Sequence, residues 1–127
     1  KSYYEILEQT QKNDSDITDW LVWFLDTLND SLEKTLAQIS RTLFKSQFWH
    51  KYSNLALSEE QRKVLNRLLD GGENGFEHGI SASQYQKVAK TSKATATRHL
   101  SDLLEKKCIV KLEGGGRNTR YQINTQL

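Results

Sequence analysis

"SASQYQKVAKTSKATATRHLSDLLEKK", Ser81–Lys107, decides the fold. Tyr85, Val88 and Ala89 recur at helical spacing and predict a short helix with those three side chains turned inward. After a brief polar link, Ala96, Leu100 and Leu103 form a second inward stripe. The second helix opens on Thr91, Ser92, Lys93, Thr95, Thr97 and Arg98, short polar or basic residues with little that wants a core. Two helices joined by a tight turn, the second polar at its start, predict a helix-turn-helix, whose second helix enters the DNA major groove by its N-terminal end. Lys93, Ala94, Thr97, Arg98 and Ser101 then lie opposite the inward stripe. Small residues there let a helix approach base edges closely, and an arginine such as Arg98 can hold a guanine with two hydrogen bonds. Thr91, Ser92 and Thr95 suit phosphate, as hydroxyls near a helix N-terminus whose N–H groups already favour anions.

Downstream, "CIVKLEGGGRNTRYQIN", Cys108–Asn124, alternates on both sides of Gly114-Gly115-Gly116 and predicts a β-hairpin. Arg117, Asn118 and Arg120 beside the glycine-rich tip suit contacts with a nucleic-acid backbone or minor groove, the position of a wing. Upstream, "SEEQRKVLNRLLD" starts with a capping box, Ser58 followed three residues later by Gln61, and turns Val64, Leu65, Leu68 and Leu69 inward. Residues 58–127 therefore read as a winged helix-turn-helix domain of three helices and a two-stranded hairpin, in a mainly α chain.

Residues 1–57 read as a separate helical segment. "SYYEILEQTQKN" carries a stripe through Tyr3, Tyr4 and Leu7, and Ser15 or Asp16 can cap the next helix. "ITDWLVWFLDTLNDSLEKTLAQISRTL", Ile17–Leu43, is the longest periodic run. With Trp20, Trp23 and Phe24 it is apolar nearly all round at its start, as a helix buried on more than one side would be. Those three residues are candidates for an interface with a neighbour or a second copy. Phe44, Phe48, Trp49 and Tyr52 cluster next, with Ser46 able to cap a short helix, and read as a joint between two units.

The 127 residues carry a net charge of only +2, but its distribution is uneven. Residues 58–127 hold 12 basic and 8 acidic side chains, and 9 basic against 3 acidic fall within Lys87–Arg120. Such a concentration points to a polyanionic partner. No apolar run is long enough for a membrane-spanning helix, and Lys1 is not followed by a signal-peptide core. The single cysteine, Cys108, excludes an internal disulfide framework, which fits a reducing, cytoplasmic location. The absence of methionine reads as a piece of a longer chain.

Two resemblances accompany this reading. "AKTSKATATRHLSDLLEKKCIV" resembles the helix-turn-helix core of winged-helix regulators, which usually carry Gly where Lys90 and Lys107 stand. "YYEILEQTQKNDSDITDWLVWFLDTL", "FWHKY" and "LSEEQRKVLNRLLDGGENGFEHGISASQYQKVAKTSKATATRHLSDLLEKK" together resemble the C-terminal part of a Fic-family protein. That resemblance implies a parent that transfers AMP from ATP to protein hydroxyls. Residues 1–57 would then trail its catalytic domain. The family's His-Pro-Phe and Gly-Asn-Gly-Arg motif is absent from the chain, so no residue inherits a catalytic role.

The remaining chemistry is sparse. His50, His78 and His99 have no His or Cys at ligand spacing, and "GGENG" lacks the Lys-Ser/Thr of a phosphate loop. The expectation is an accessory module, not an enzyme, without cofactor or metal. One reading makes it a binder of double-stranded DNA. The other makes it a protein-interaction or homodimerisation module that regulates or targets the catalytic domain of the same parent chain.

Overall fold

The computed structural model describes residues 3–5, 17–71, 75–114 and 118–127. The capping residues expected at Ser15 and Asp16, and Arg117, expected beside the hairpin tip, lie outside them. The chain is mainly helical with a small three-stranded antiparallel sheet. Among the described residues, no helix is long and apolar enough to cross a membrane. Two compact units divide it, Lys1–Ser40 and Arg41–Leu127.

In the first unit Tyr3–Glu5 is helical, and helix α1 (Ile17–Lys51) begins. The Tyr3 ring sits 5.6 Å from that of Trp23, and Trp20 stacks on Phe24 at 5.4 Å. Trp20 and Trp23 are half-buried, while Phe24 and the leucines that follow are exposed.

Helix α1 continues past Ser40 to Lys51, which corrects the short helix capped at Ser46. Nothing between Ile17 and Lys51 stops a helix, since that stretch has neither Gly nor Pro. Phe44, Phe48 and Tyr52 also keep the helical spacing.

The second unit contains the end of α1, then α2 (Glu59–Asp70), β1 (Ile80–Ser81), α3 (Ala82–Ala89), α4 (Lys93–Glu105), β2 (Ile109–Lys111) and β3 (Arg120–Ile123). Phe48 and Tyr52, ahead of residue 58, share one buried cluster with Val64, Leu65, Tyr85, Ala96, Leu100, Leu103 and Ile109. The capping box at Ser58 forms as expected, and Ser81 with Gln84 makes a second one that starts α3.

The sheet order is β1-β3-β2, with Ile80 opposite Tyr121 and Ile109 opposite Ile123. The expected hairpin of two strands is thus a sheet of three. The two residues of β1 are too few to show a period of two, and Ile80 reads in isolation as a stray apolar residue. Gly79, at φ 90°, lets the chain reach β3: a Cβ there would lie 2.9 Å from the Tyr121 carbonyl oxygen.

Two lysines adopt the left-handed conformation that favours glycine. Lys90 ends α3 at φ 55°, and Lys107 follows α4 at φ 62°. Each geometry costs about 1–2 kcal/mol for a residue with a side chain. At Lys107 it is offset by a carbonyl that accepts from Tyr52 Oη at 2.8 Å and from Asn124 Nδ2 at 2.9 Å.

Candidate nucleic-acid interface

Helix α4 owes its position to its buried side. Ala96, Leu100 and Leu103 enter the core as their spacing predicts. Polar contacts fix its rotation. Gln61, only 4 % exposed, donates from Nε2 to the His99 carbonyl at 3.3 Å and to Asp102 Oδ2 at 2.9 Å. Its Oε1 meanwhile accepts the Ser58 N–H at 2.9 Å. One side chain thus caps α2 and anchors α4. The same Asp102 oxygen accepts from Lys106 Nζ at 2.8 Å. The hydrogen bonds from Lys106 and Gln61 hold the Asp102 carboxyl below its usual range. On α3, the Tyr85 hydroxyl lies 2.8 Å from His99 Nδ1. Burial pushes the Tyr85 phenol well above its usual range, so it stays protonated, and the His99 tautomer sets which of the two groups donates.

What α4 offers to a partner is therefore its first two turns. Lys93, Ala94, Thr97, Arg98 and Ser101 are all exposed. The side chains of Lys93 and Arg98, with those of Lys87 and Lys90 just before them, make no hydrogen bond or ion pair with another described residue. Asp102 and Glu105, the acidic residues of α4, come only in its later half.

The hydroxyls behave differently from one another. Ser92 Oγ accepts the Thr95 N–H at 3.2 Å, as an N-cap does, and donates to Thr95 Oγ1 at 3.0 Å. Thr97 Oγ1 donates back to the Lys93 carbonyl at 3.0 Å. Thr91 Oγ1 is buried and has no hydrogen-bond partner among the described residues, so it is not presented to a phosphate in this conformation.

A second polar surface lies at the start of α3. Ser81, Ala82, Ser83, Asn118, Thr119, Arg120 and Tyr121 line a cleft of about 300 Å³. Arg120 reaches across it, donating from Nη1 to the Gly79 carbonyl at 3.1 Å and to Gln84 Oε1 at 3.3 Å. Asn118 is exposed at the rim. Sequence reasoning found Asn118 and Arg120 but missed Ser81 and Ser83. Their signal was present in "SASQ", where the Ser81–Gln84 spacing marks a helix start and therefore a run of outward N–H groups.

The proposed interface residues Trp20, Trp23 and Phe24 are divided: Trp23 lies against Tyr3, Trp20 stacks on Phe24, and Phe24 itself is 43 % exposed. Cys108 is fully buried, and that burial pushes its thiol up to about 11. Among the described residues no group of three His, Cys, Asp or Glu is placed to share a metal ion. No protein-family model matches the chain, and no curated protein matches it at a significant level.

Proposed function

We propose that residues 58–127 form a winged helix-turn-helix that binds double-stranded DNA. In this reading the first two turns of α4 lie in the major groove, with Arg98 at a base edge and Lys93 near phosphate. Asn118, just ahead of β3, belongs to the wing on the backbone, and Arg120 braces its base. The observation that carries the reading is the exposed front of α4, where the side chains of Lys93 and Arg98 make no hydrogen bond or ion pair with any described residue.

The resemblance to Fic-family proteins extends this to a parent chain. The module would sit beside a catalytic domain that transfers AMP to protein hydroxyls and link that activity to DNA or transcription. The test is fluorescence anisotropy with a labelled duplex at two salt concentrations. Salt-sensitive binding that Arg98→Ala weakens, in a variant with unchanged melting, supports the reading. Equal affinity of wild type and Arg98→Ala refutes it.

A further inference from the structure

Helix α1 leaves a row of aliphatic side chains in solvent. Leu25, Leu28, Leu32, Leu36 and Ile39 all belong to the first compact unit, and they are 58, 45, 54, 62 and 49 % exposed. With 3.6 residues per turn they fall within roughly 80° of the helix circumference. Leu25 to Leu36 and Leu28 to Ile39 each span an eleven-residue interval. That period lies close to the pitch of a straight helix, so the row runs almost along the axis and does not wind around it.

The row reads the same in both directions. From Leu32 the next members are four and seven residues away on either side: Leu28 and Leu25 before it, Leu36 and Ile39 after it. In sequence the mirror continues one step further, to Leu21 and Leu43. A two-fold axis at Leu32 would therefore lay every member against another member. Leu25 would meet Ile39 of a second copy, Leu28 would meet Leu36, and Leu32 would meet its own counterpart.

Charge order selects the direction. Every carboxylate of α1 (Asp19, Asp26, Asp30, Glu33) precedes every lysine and arginine (Lys34, Arg41, Lys45, Lys51). Parallel pairing would align carboxylates with carboxylates along one half and cations with cations along the other. Antiparallel pairing sets each acidic half beside a basic half and opposes the two helix dipoles. An interface of this kind is self-complementary and closes at two copies.

We propose that the chain forms a homodimer in which α1 pairs antiparallel with α1 of a second copy, centred on Leu32. This stands independently of DNA binding, and either can fail without the other. Its test combines mass and direction. Sedimentation equilibrium across the micromolar range should give twice the 14.7 kDa of one chain. Leu32→Glu, at a half-exposed position that the fold does not need, should sediment as a monomer with unchanged circular dichroism. A nitroxide on Thr18→Cys, with Cys108 buried and unlabelled, reports direction. The fourteen residues between position 18 and the axis place two labels roughly 40 Å apart in the antiparallel pair. A parallel pair would hold them within roughly 20 Å, the interaxial distance plus the label arms. A monomeric wild type, a dimeric Leu32→Glu or the short distance would each overturn the proposal.

Discussion

Gln61→Ala removes the side chain that ties the start of α2 to α4, and its cost follows from its contacts. The Gln61 Nε2 bond to Asp102 Oδ2, at 2.9 Å, has a charged acceptor and a buried donor, although the Asp102 side chain is 36 % exposed. Such a bond contributes about 1.5–3 kcal/mol. The same substitution leaves the Ser58 N–H without its acceptor, for about 1 kcal/mol more by the usual net value of one hydrogen bond. The expected loss is thus roughly 3 kcal/mol, which lowers the melting temperature of a unit this size by roughly 12–24 °C. Gln84→Ala is the control. It breaks the equivalent capping box on α3, where the other partner is the exposed Arg120, and should cost about 1 kcal/mol. Urea unfolding followed by circular dichroism measures both, with the slope expected to stay constant. If Gln61→Ala is no more costly than Gln84→Ala, the link to Asp102 does not hold α4 and the reasoning fails.

Four further outcomes are expected. The Asp102 carboxyl titrates below its usual range in the folded chain, so its contribution is fully present above the unfolded value of about 3.9 and is lost as pH falls through the lower folded value. Asp102→Asn should therefore flatten the acid limb of the stability–pH curve; parallel curves would contradict this. Tyr52→Phe deletes the donor to the Lys107 carbonyl and should destabilise by about 1 kcal/mol in thermal melts. Lys107→Gly relieves a left-handed lysine and should stabilise by up to about 1 kcal/mol, the left-handed penalty less the entropy that glycine adds to the unfolded chain. Cys108 should react with an aromatic disulfide reagent only as fast as the second unit opens; rapid labelling of native protein would contradict its burial.

What the sequence made legible was periodic or capped. The inward faces of α2, α3 and α4 follow from spacing alone, and the box at Ser58 and Gln61 follows from a hydroxyl three residues before an amide. What stayed hidden was non-local. Gln61 reads as a cap, and nothing near it in sequence says that its other end binds Asp102 on α4. Ile80 reads as isolated because its strand partner, Tyr121, lies far along the chain. Lys90 and Lys107 carry no sign of a left-handed backbone, since glycine is the residue that ordinarily announces it. The front of α4 was legible as polar. Which hydroxyls it leaves outward was not, because Ser92 and Thr97 bond to neighbouring groups and Thr91 turns inward. At Ser46 a plausible cap was overridden by the aromatic residues around it, which keep α1 continuous into the core.

Anisotropy of the chain with a random labelled duplex, titrated at low and at physiological salt, most directly tests the proposal that the front of α4 binds DNA. Release of counterions from neutralised phosphates makes such binding fall steeply as salt rises. The expected result is binding in the range of about 10⁻⁴–10⁻⁶ M at physiological salt, tighter at low salt and weakened by Arg98→Ala. Absence of binding at both salt concentrations, with the chain folded, would contradict it and turn that polar helix start toward protein or water.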